Sequence, residues 1–235
     1  MNKYLFSKPL IPELIKSRPN RFIMQVDIKG KTEKCHCPCT GRIGNIVFKE
    51  IPCLLSKSTD PHRKTKYTVE AISLNSKGWI GIDQTKANTY IEFFLKNNLL
   101  KNMISVTNIQ REVKLHNSKI DFLINNTCFL EVKTPLTHLP FGTRKPNTTF
   151  NSFERLARHV EEISQNINPG QRALLVLCYM YNATPFKIPE KPNAEIINTI
   201  KKATSRGLEH WQINLKIDET GVSLLNYFTL DLFDN

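Results

Sequence analysis

Residues 118–133 constrain this chain more than any other stretch. Ser118-Lys119-Ile120-Asp121-Phe122-Leu123-Ile124 and Cys128-Phe129-Leu130-Glu131-Val132-Lys133 alternate as two strands around Asn125-Asn126-Thr127. Successive strand side chains point to opposite faces, so the loop length fixes which residues meet across the hairpin. A three-residue loop sets Ile124 against Cys128, Phe122 against Leu130 and Ile120 against Val132, one apolar set for a core. Asp121 then faces Glu131 on the other side, with Lys133 two residues further along that face. A two-residue loop would split the carboxylates and break the apolar set. Paired carboxylates beside a lysine form a typical divalent-cation site for phosphodiester chemistry. The acids hold Mg²⁺, and the lysine orients water or stabilises charge on the phosphate. The competing reading is plain cross-strand charge pairing on a solvated face.

Charge is the second constraint. The 235 residues carry a formal net charge of +12. Residues 1–110 hold 18 basic and 8 acidic side chains, and residues 111–235 hold 15 and 13. A basic first half beside a near-neutral second half suits a polyanion-binding module joined to something else. Hydrophobic content of 40% and charged content of 23% are ordinary for a globular chain long enough to bury a core. No apolar run reaches the length of a membrane span and no signal-peptide core opens the chain, so the sequence reads as soluble, without a membrane partner.

The six cysteines do not suggest a secreted disulfide framework, since Cys35, Cys37 and Cys39 stand too close together to bridge one another. A reducing cytoplasm is expected. Cys35-His36-Cys37-Pro38-Cys39 invites a zinc reading. Structural zinc, however, prefers a wider spacing and a second ligand pair, and only Cys53 stands nearby, so half-buried strand cysteines fit better.

Residues 1 to roughly 80 read as β-rich: Arg21–Ile28, a second strand after Lys29-Gly30-Lys31 ending at Cys37-Pro38, then Asn45–Phe48, Cys53–Ser56, Tyr67–Leu74 and Trp79–Ile82. Short strands without helical periodicity suggest a small barrel. From Gln84 to about Leu100 the pattern turns helical, with Ala87, Tyr90, Ile91, Phe94 and Leu95 on one stripe. Strand Val106–Leu115, the hairpin, a Pro/Thr-rich loop over Thr134–Thr149 and a helix from about Ser152 to Asn166 follow. Arg172–Tyr181 is continuously apolar, as a strand buried on both faces would be. A helix near Asn193–Ser205 and strands Glu209–Ile217 and Gly221–Phe228 complete the chain. The expected fold class is α/β (α+β overall). Residues 1–82 would form a small OB-like β-barrel, and residues 83–235 an αβββαβ domain with an antiparallel meander feeding a crossover strand.

That element order, with Asp121 and Glu131-Val132-Lys133 on the second and third meander strands, resembles the core of the PD-(D/E)xK nuclease superfamily, although Ile120 stands where its proline would. A wider set of motifs resembles the sugar fermentation stimulation protein (SfsA) family. It comprises Arg21-Phe22, His36-Cys37-Pro38-Cys39-Thr40-Gly41, Arg63-Lys64 ahead of Tyr67-Thr68-Val69-Glu70, Asn88, Ser118–Phe122 and Leu130–Thr134. Departures are Cys39 where the family has Asn, an unrecognisable Phe-Pro-Asp-Ala segment at Thr148-Thr149-Phe150-Asn151, and Leu156 in place of a usual glycine. The resemblance implies an N-terminal OB-like barrel that binds DNA and a nuclease-like second domain, in a bacterial or archaeal cytoplasm. The family name ties it to sugar metabolism, hence to regulation of sugar-metabolism genes, though no residue here recognises a sugar.

Two activities stay open at this point. In the first, DNA is held largely without sequence readout through phosphate contacts from Arg21, Arg42, Arg63, Lys64 and Lys66. Phe22 and Tyr67 are candidate stacking surfaces that read more simply as core. In the second, Asp121 and Glu131 hold Mg²⁺ (Mn²⁺ able to substitute) for DNA cleavage, Lys133 assists, and Arg155 and His159 approach from the facing helix. Taken alone, His159 reads as helix surface. Asn88 is a supporting contact, and Glu112 or Glu92 would add a third ligand but read more simply as surface acids. The oligomeric state is open, a homodimer included.

Overall fold

The computed structural model describes residues 2–39, 41, 43–44, 46–75, 78–136, 139, 153–188 and 193–233, with the side chains of 153–158 outside that description. After a short opening strand, β1 (Lys3–Leu5), the chain lays down β2 (Ile11–Asn20), β3 (Ile23–Ile28), β4 (Lys31–His36), β5 (Ile51–Lys57), β6 (Tyr67–Ile72) and β7 (Ile80–Gly81). Their order in the sheet is β4-β3-β2-β5-β6-β7, and His36 of β4 also pairs in parallel with Thr68 of β6. That last pairing closes five strands, β2 to β6, into a barrel, which removes the open edges a small sheet would otherwise present.

Strand β2 has no counterpart in the sequence reading. Pro12 and Pro19 interrupt its apolar alternation, and proline cannot donate to a ladder. Pro19 falls where the pairing with β3 is irregular, with register shifts between Ile15 and Ser17 and again between Ser17 and Asn20. The run Asn45–Phe48, expected as a strand, is not one over its described residues 46–48.

The second sheet has seven strands, ordered β1-β13-β12-β11-β10-β9-β8. Its members beyond β1 are β8 (Ile109–Leu115), β9 (Ser118–Ile124), β10 (Cys128–Lys133), β11 (Arg172–Tyr179), β12 (Leu208–Ile217) and β13 (Gly221–Thr229). Among the described residues three helices accompany them: α1 (Ala87–Lys96) after a 3-10 turn at Gln84–Lys86, α2 (Phe153–Gln165), and α3 (Ala194–Ser205). Strand β11 runs parallel to both β10 and β12 and is almost wholly buried, which explains its unbroken apolar run. Of the loop expected over Thr134–Thr149, residues 137–138 and 140–149 lie outside the described residues. The stripe Ala87, Tyr90, Ile91, Phe94 and Leu95 is the buried face of α1.

Strand β1 was not anticipated: it lies at the head of the segment assigned to the barrel, yet it pairs antiparallel with β13 at the edge of the second sheet. Tyr4 packs edge-on against Tyr90 and Phe93 of α1.

Barrel and sheet share apolar packing. Leu177, Tyr179 and Tyr181 lie in the same cluster as Ile15, Val26, Cys53 and Val69 of the barrel. Gly81 sits at this joint and donates its N–H to Met180 O at 2.9 Å. A Cβ on Gly81 would stand 2.6 Å from Met180 Cβ, closer than carbon atoms approach. Gly81→Ala should therefore destabilise the protein by about 1–3 kcal/mol in urea unfolding, as overpacking does. Gly78→Ala, which meets nothing within 4 Å, serves as the control. Equal stabilities for the two variants would contradict this account of the joint.

Candidate functional site

The hairpin β9–β10 has the register expected for a three-residue loop. Ile124 pairs with Cys128, Leu123 with Phe129 and Phe122 with Leu130. Asn125 and Asn126 take left-handed φ values of 53° and 59°, a conformation Asn tolerates better than most residues. Backbone pairing stops after Phe122 and Leu130, and carboxylates take over. Asp121 Oδ2 accepts the Val132 N–H at 2.8 Å, and Glu131 Oε2 accepts the Asp121 N–H at 3.4 Å. On the other side of β9 the ladder with β8 skips the Glu112–Asp121 pair, where Glu112 has a φ of +56°.

The disturbance has a packing consequence. Phe122, Ile124, Cys128, Leu130 and Val132 join the core under α1, as one apolar set should. Ile120 instead packs with Phe129, Val160 and Ile163, on the side of the sheet that α2 covers. The expected uniform set is thus correct as far as Phe122 and fails beyond it, because β9 is distorted at Asp121.

Asp121 and Glu131 line one cleft of about 290 Å³ together with Lys133, Asn88, Gln84 and His159. Glu131 is only 2% exposed, and its Oε1 receives both Lys133 Nζ at 2.6 Å and His159 Nδ1 at 2.7 Å. Asn88, at the start of α1, donates from Nδ2 to Asp121 Oδ1 at 2.8 Å. Burial, and then repulsion from Glu131, raise the Asp121 pKa above its ordinary 3.8, against the bonds from Val132 and Asn88 and the charge of Lys133.

Gln84 is a contributor that the sequence reading did not single out. Its Nε2 donates to Thr134 O at 2.5 Å, just past Lys133, and its Oε1 accepts from the Cys39 thiol at 3.5 Å. The barrel is therefore tied to the end of the strand that carries Glu131 and Lys133. Gln84 stands four residues before Asn88, one helical turn, and that spacing was the available signal. Lys119 also lines the cleft, as its parity with Asp121 along β9 allows.

Other expected residues lie elsewhere. Glu112 is exposed and pairs with Lys119 at 2.5 Å, and Glu92 bridges Lys96 and Arg111. Neither lines the cleft. Arg155 falls within α2, but its side chain is outside the described residues, as is Arg42 altogether. His159, which alone reads as surface, is buried against Glu131. Arg63, Lys64 and Lys66 are exposed on the connection between β5 and β6, and Arg21 is exposed between β2 and β3. Burial pushes the Cys35 thiol to about 12 and Cys39 to about 11. Among the described residues no group of three or more His, Cys, Asp or Glu side chains is arranged around a metal position.

A closed five-stranded barrel beside an αβββαβ sheet, with Asp, Glu and Lys converging where the meander feeds its crossover strand, defines an OB-barrel protein with a nuclease-like second fold. Comparison with known proteins agrees. The SfsA N-terminal OB domain matches residues 17–82, and the sugar fermentation stimulation protein RE domain matches residues 85–221. The sugar fermentation stimulation protein homolog of Clostridium novyi (strain NT) is 38% identical over 212 residues, covering 88% of this chain and 91% of that one. The homolog of Synechococcus sp. (strain JA-2-3B'a(2-13)) is 31% identical over 228 residues, 93% and 92% of the two chains. The structure of Pyrococcus furiosus SfsA in complex with Ca²⁺ aligns with a TM-score of 0.79 over 99% of this chain and 100% of that one, at 21% identity. The chain belongs to the sugar fermentation stimulation protein family. Among its described residues, no helix is long and apolar enough to cross a membrane.

The raised Asp121 pKa carries a stability signature. Between its ordinary and its folded pKa the folded state holds a proton that the unfolded state releases, so this carboxyl's contribution to stability falls as pH rises through that window. Asp121→Asn removes that dependence. Relative to the native protein the variant should gain stability as pH rises, then level off above the folded pKa. Urea unfolding of both proteins between about pH 3 and pH 7 measures this; a variant that loses stability relative to the native protein as pH rises would contradict the geometry.

Proposed function

We propose that this protein binds DNA through the basic face of its barrel, largely without reading sequence, in keeping with the regulatory role in sugar metabolism that the family's name suggests. The observation that carries this reading is placement. Arg21 and the run Arg63, Lys64 and Lys66 are all exposed, on the connections that lead into β3 and β6. Ile23, just after Arg21, pairs with His36, and His36 pairs with Thr68, just after Lys66. Phosphate contacts of this kind give salt-dependent affinity with little base discrimination.

A second reading, cleavage of the bound DNA, is favoured by the convergence of Asp121, Glu131 and Lys133. The donor set suits a hard divalent cation. Two carboxylates share one cleft, among the described residues Glu131 Oε2 accepts only the long 3.4 Å bond, and burial together with the charge of Glu131 raises the Asp121 pKa. The Ca²⁺ complex of the archaeal relative supports the same class of ion. Asp121 and Glu131 would hold Mg²⁺ or Mn²⁺, which when bound supplies Lewis acidity toward phosphate oxygen and a more acidic water. In this reading Lys133, bonded to Glu131, presents its ammonium to charge developing on the phosphate. Asn88 fixes the Asp121 carboxylate, and His159 fixes Glu131 from α2.

One experiment separates the readings: labelled single- and double-stranded DNA, with and without Mg²⁺ or Mn²⁺, scored for retention and cleavage together. The double variant Arg63→Ala/Lys64→Ala should weaken retention and lower the salt slope by roughly 0.9 for each phosphate it no longer neutralises. Asp121→Ala and Lys133→Ala should retain DNA and abolish any metal-dependent cutting. Salt-independent retention would sink the binding reading, and cutting that survives Asp121→Ala would sink the site.

A further inference from the structure

Phe22 departs from what its sequence context suggests. An aromatic at the start of a barrel strand is ordinarily core, and Tyr67 is indeed packed against the barrel interior. Phe22 is 44% exposed. It is also held firmly: Asn20 Oδ1 accepts the N–H groups of Phe22 and Ile23 at 2.9 and 3.0 Å, and Phe22 O accepts the Cys37 N–H at 2.7 Å. The Arg21 guanidinium lies 4.7 Å from the ring centroid, and Arg21 O in turn accepts from Arg18 Nη2 at 3.1 Å. A flat aromatic fixed in solvent, with a cation at its face, is ready to stack on something flat and anionic.

Its surroundings narrow the partner. Register places Ile23, the residue after Phe22, opposite His36, and Arg63 is near enough that its charge, after burial, helps lower the His36 pKa. Direct bonds lead from this ledge towards the cleft. The Arg18 Nη2 that holds Arg21 also donates to Cys39 O at 2.8 Å, and the Cys39 thiol meets Gln84 of the Asp121–Glu131 cleft. A chain of direct bonds thus joins the aromatic ledge to the candidate site, with the exposed cations of 63–66 alongside.

We propose that Arg21 and Phe22 form a stacking ledge for an unpaired base, so that the nucleic acid this protein takes is single-stranded DNA. The inference rests on the DNA-binding reading above and makes it specific. A duplex hides its base faces, whereas an unpaired base offers its π surface to Phe22 while its phosphates meet Arg63, Lys64 and Lys66.

Fluorescence anisotropy with a labelled oligothymidine and with a labelled duplex of equal length, across a range of salt, tests it on the full chain. Phe22→Ala should weaken single-strand binding roughly tenfold, as removal of one stacking surface does. Duplex affinity and the salt slope for the single strand should stay unchanged, since every phosphate-binding side chain is still in place. Phe22→Trp should restore the affinity and Phe22→Leu should not, which separates stacking from apolar bulk and from any folding defect. Equal losses on both DNA forms, no loss on either, or rescue by leucine would overturn the ledge while leaving DNA binding standing. A native protein that retains neither form would overturn both the ledge and the reading on which it rests.

Discussion

The second domain depends on the point where β9 and β10 stop pairing as backbone. After Phe122 and Leu130 the ladder ends, and the Asp121 carboxylate takes up the Val132 N–H. A carboxylate standing in for a ladder bond is pinned in place without help from substrate. It is also drawn towards Glu131, whose own oxygen reaches the Asp121 N–H. Two like charges brought together in a mostly buried setting raise each other's energy, and the neighbouring residues are arranged around that tension. Lys133 and His159 meet Glu131, and Asn88 meets Asp121.

Each of those partners comes from a different element. Lys133 lies on the strand of Glu131, His159 on α2 and Asn88 at the head of α1, so the helices on the two sides of the sheet are each fixed to one carboxylate. Gln84 extends the arrangement to the barrel by joining Cys39 to Thr134. The shared apolar packing of barrel and sheet keeps that connection short. The barrel is therefore joined to the cleft by specific bonds.

The hairpin was legible because strand parity and a three-residue loop leave one register that keeps the apolar residues together. The α1 stripe and the central strand β11 were legible for the same reason, since burial imprints a period on sequence. What escaped the sequence has a physical cause in each case. The prolines of β2 disguise a strand, and Pro19 falls where its pairing with β3 is irregular. β1 is too short to carry a pattern, and its place at β13 is a long-range event. Ile120 changes face because β9 is distorted at Asp121, which no alternation rule anticipates. The burial of His159 depends on how α2 lies over the sheet, and the exposure of Phe22 on a turn fixed by Asn20; neither is a local property.

The proposed cation site rests on Asp121 and Glu131 sharing one cleft. Isothermal titration of Mn²⁺ into the native protein and into Asp121→Asn at neutral pH tests it most directly. The account predicts one saturable site in the native protein and its loss in the variant, with the variant still folded. Binding of equal strength in both proteins, or none in the native one, would contradict it.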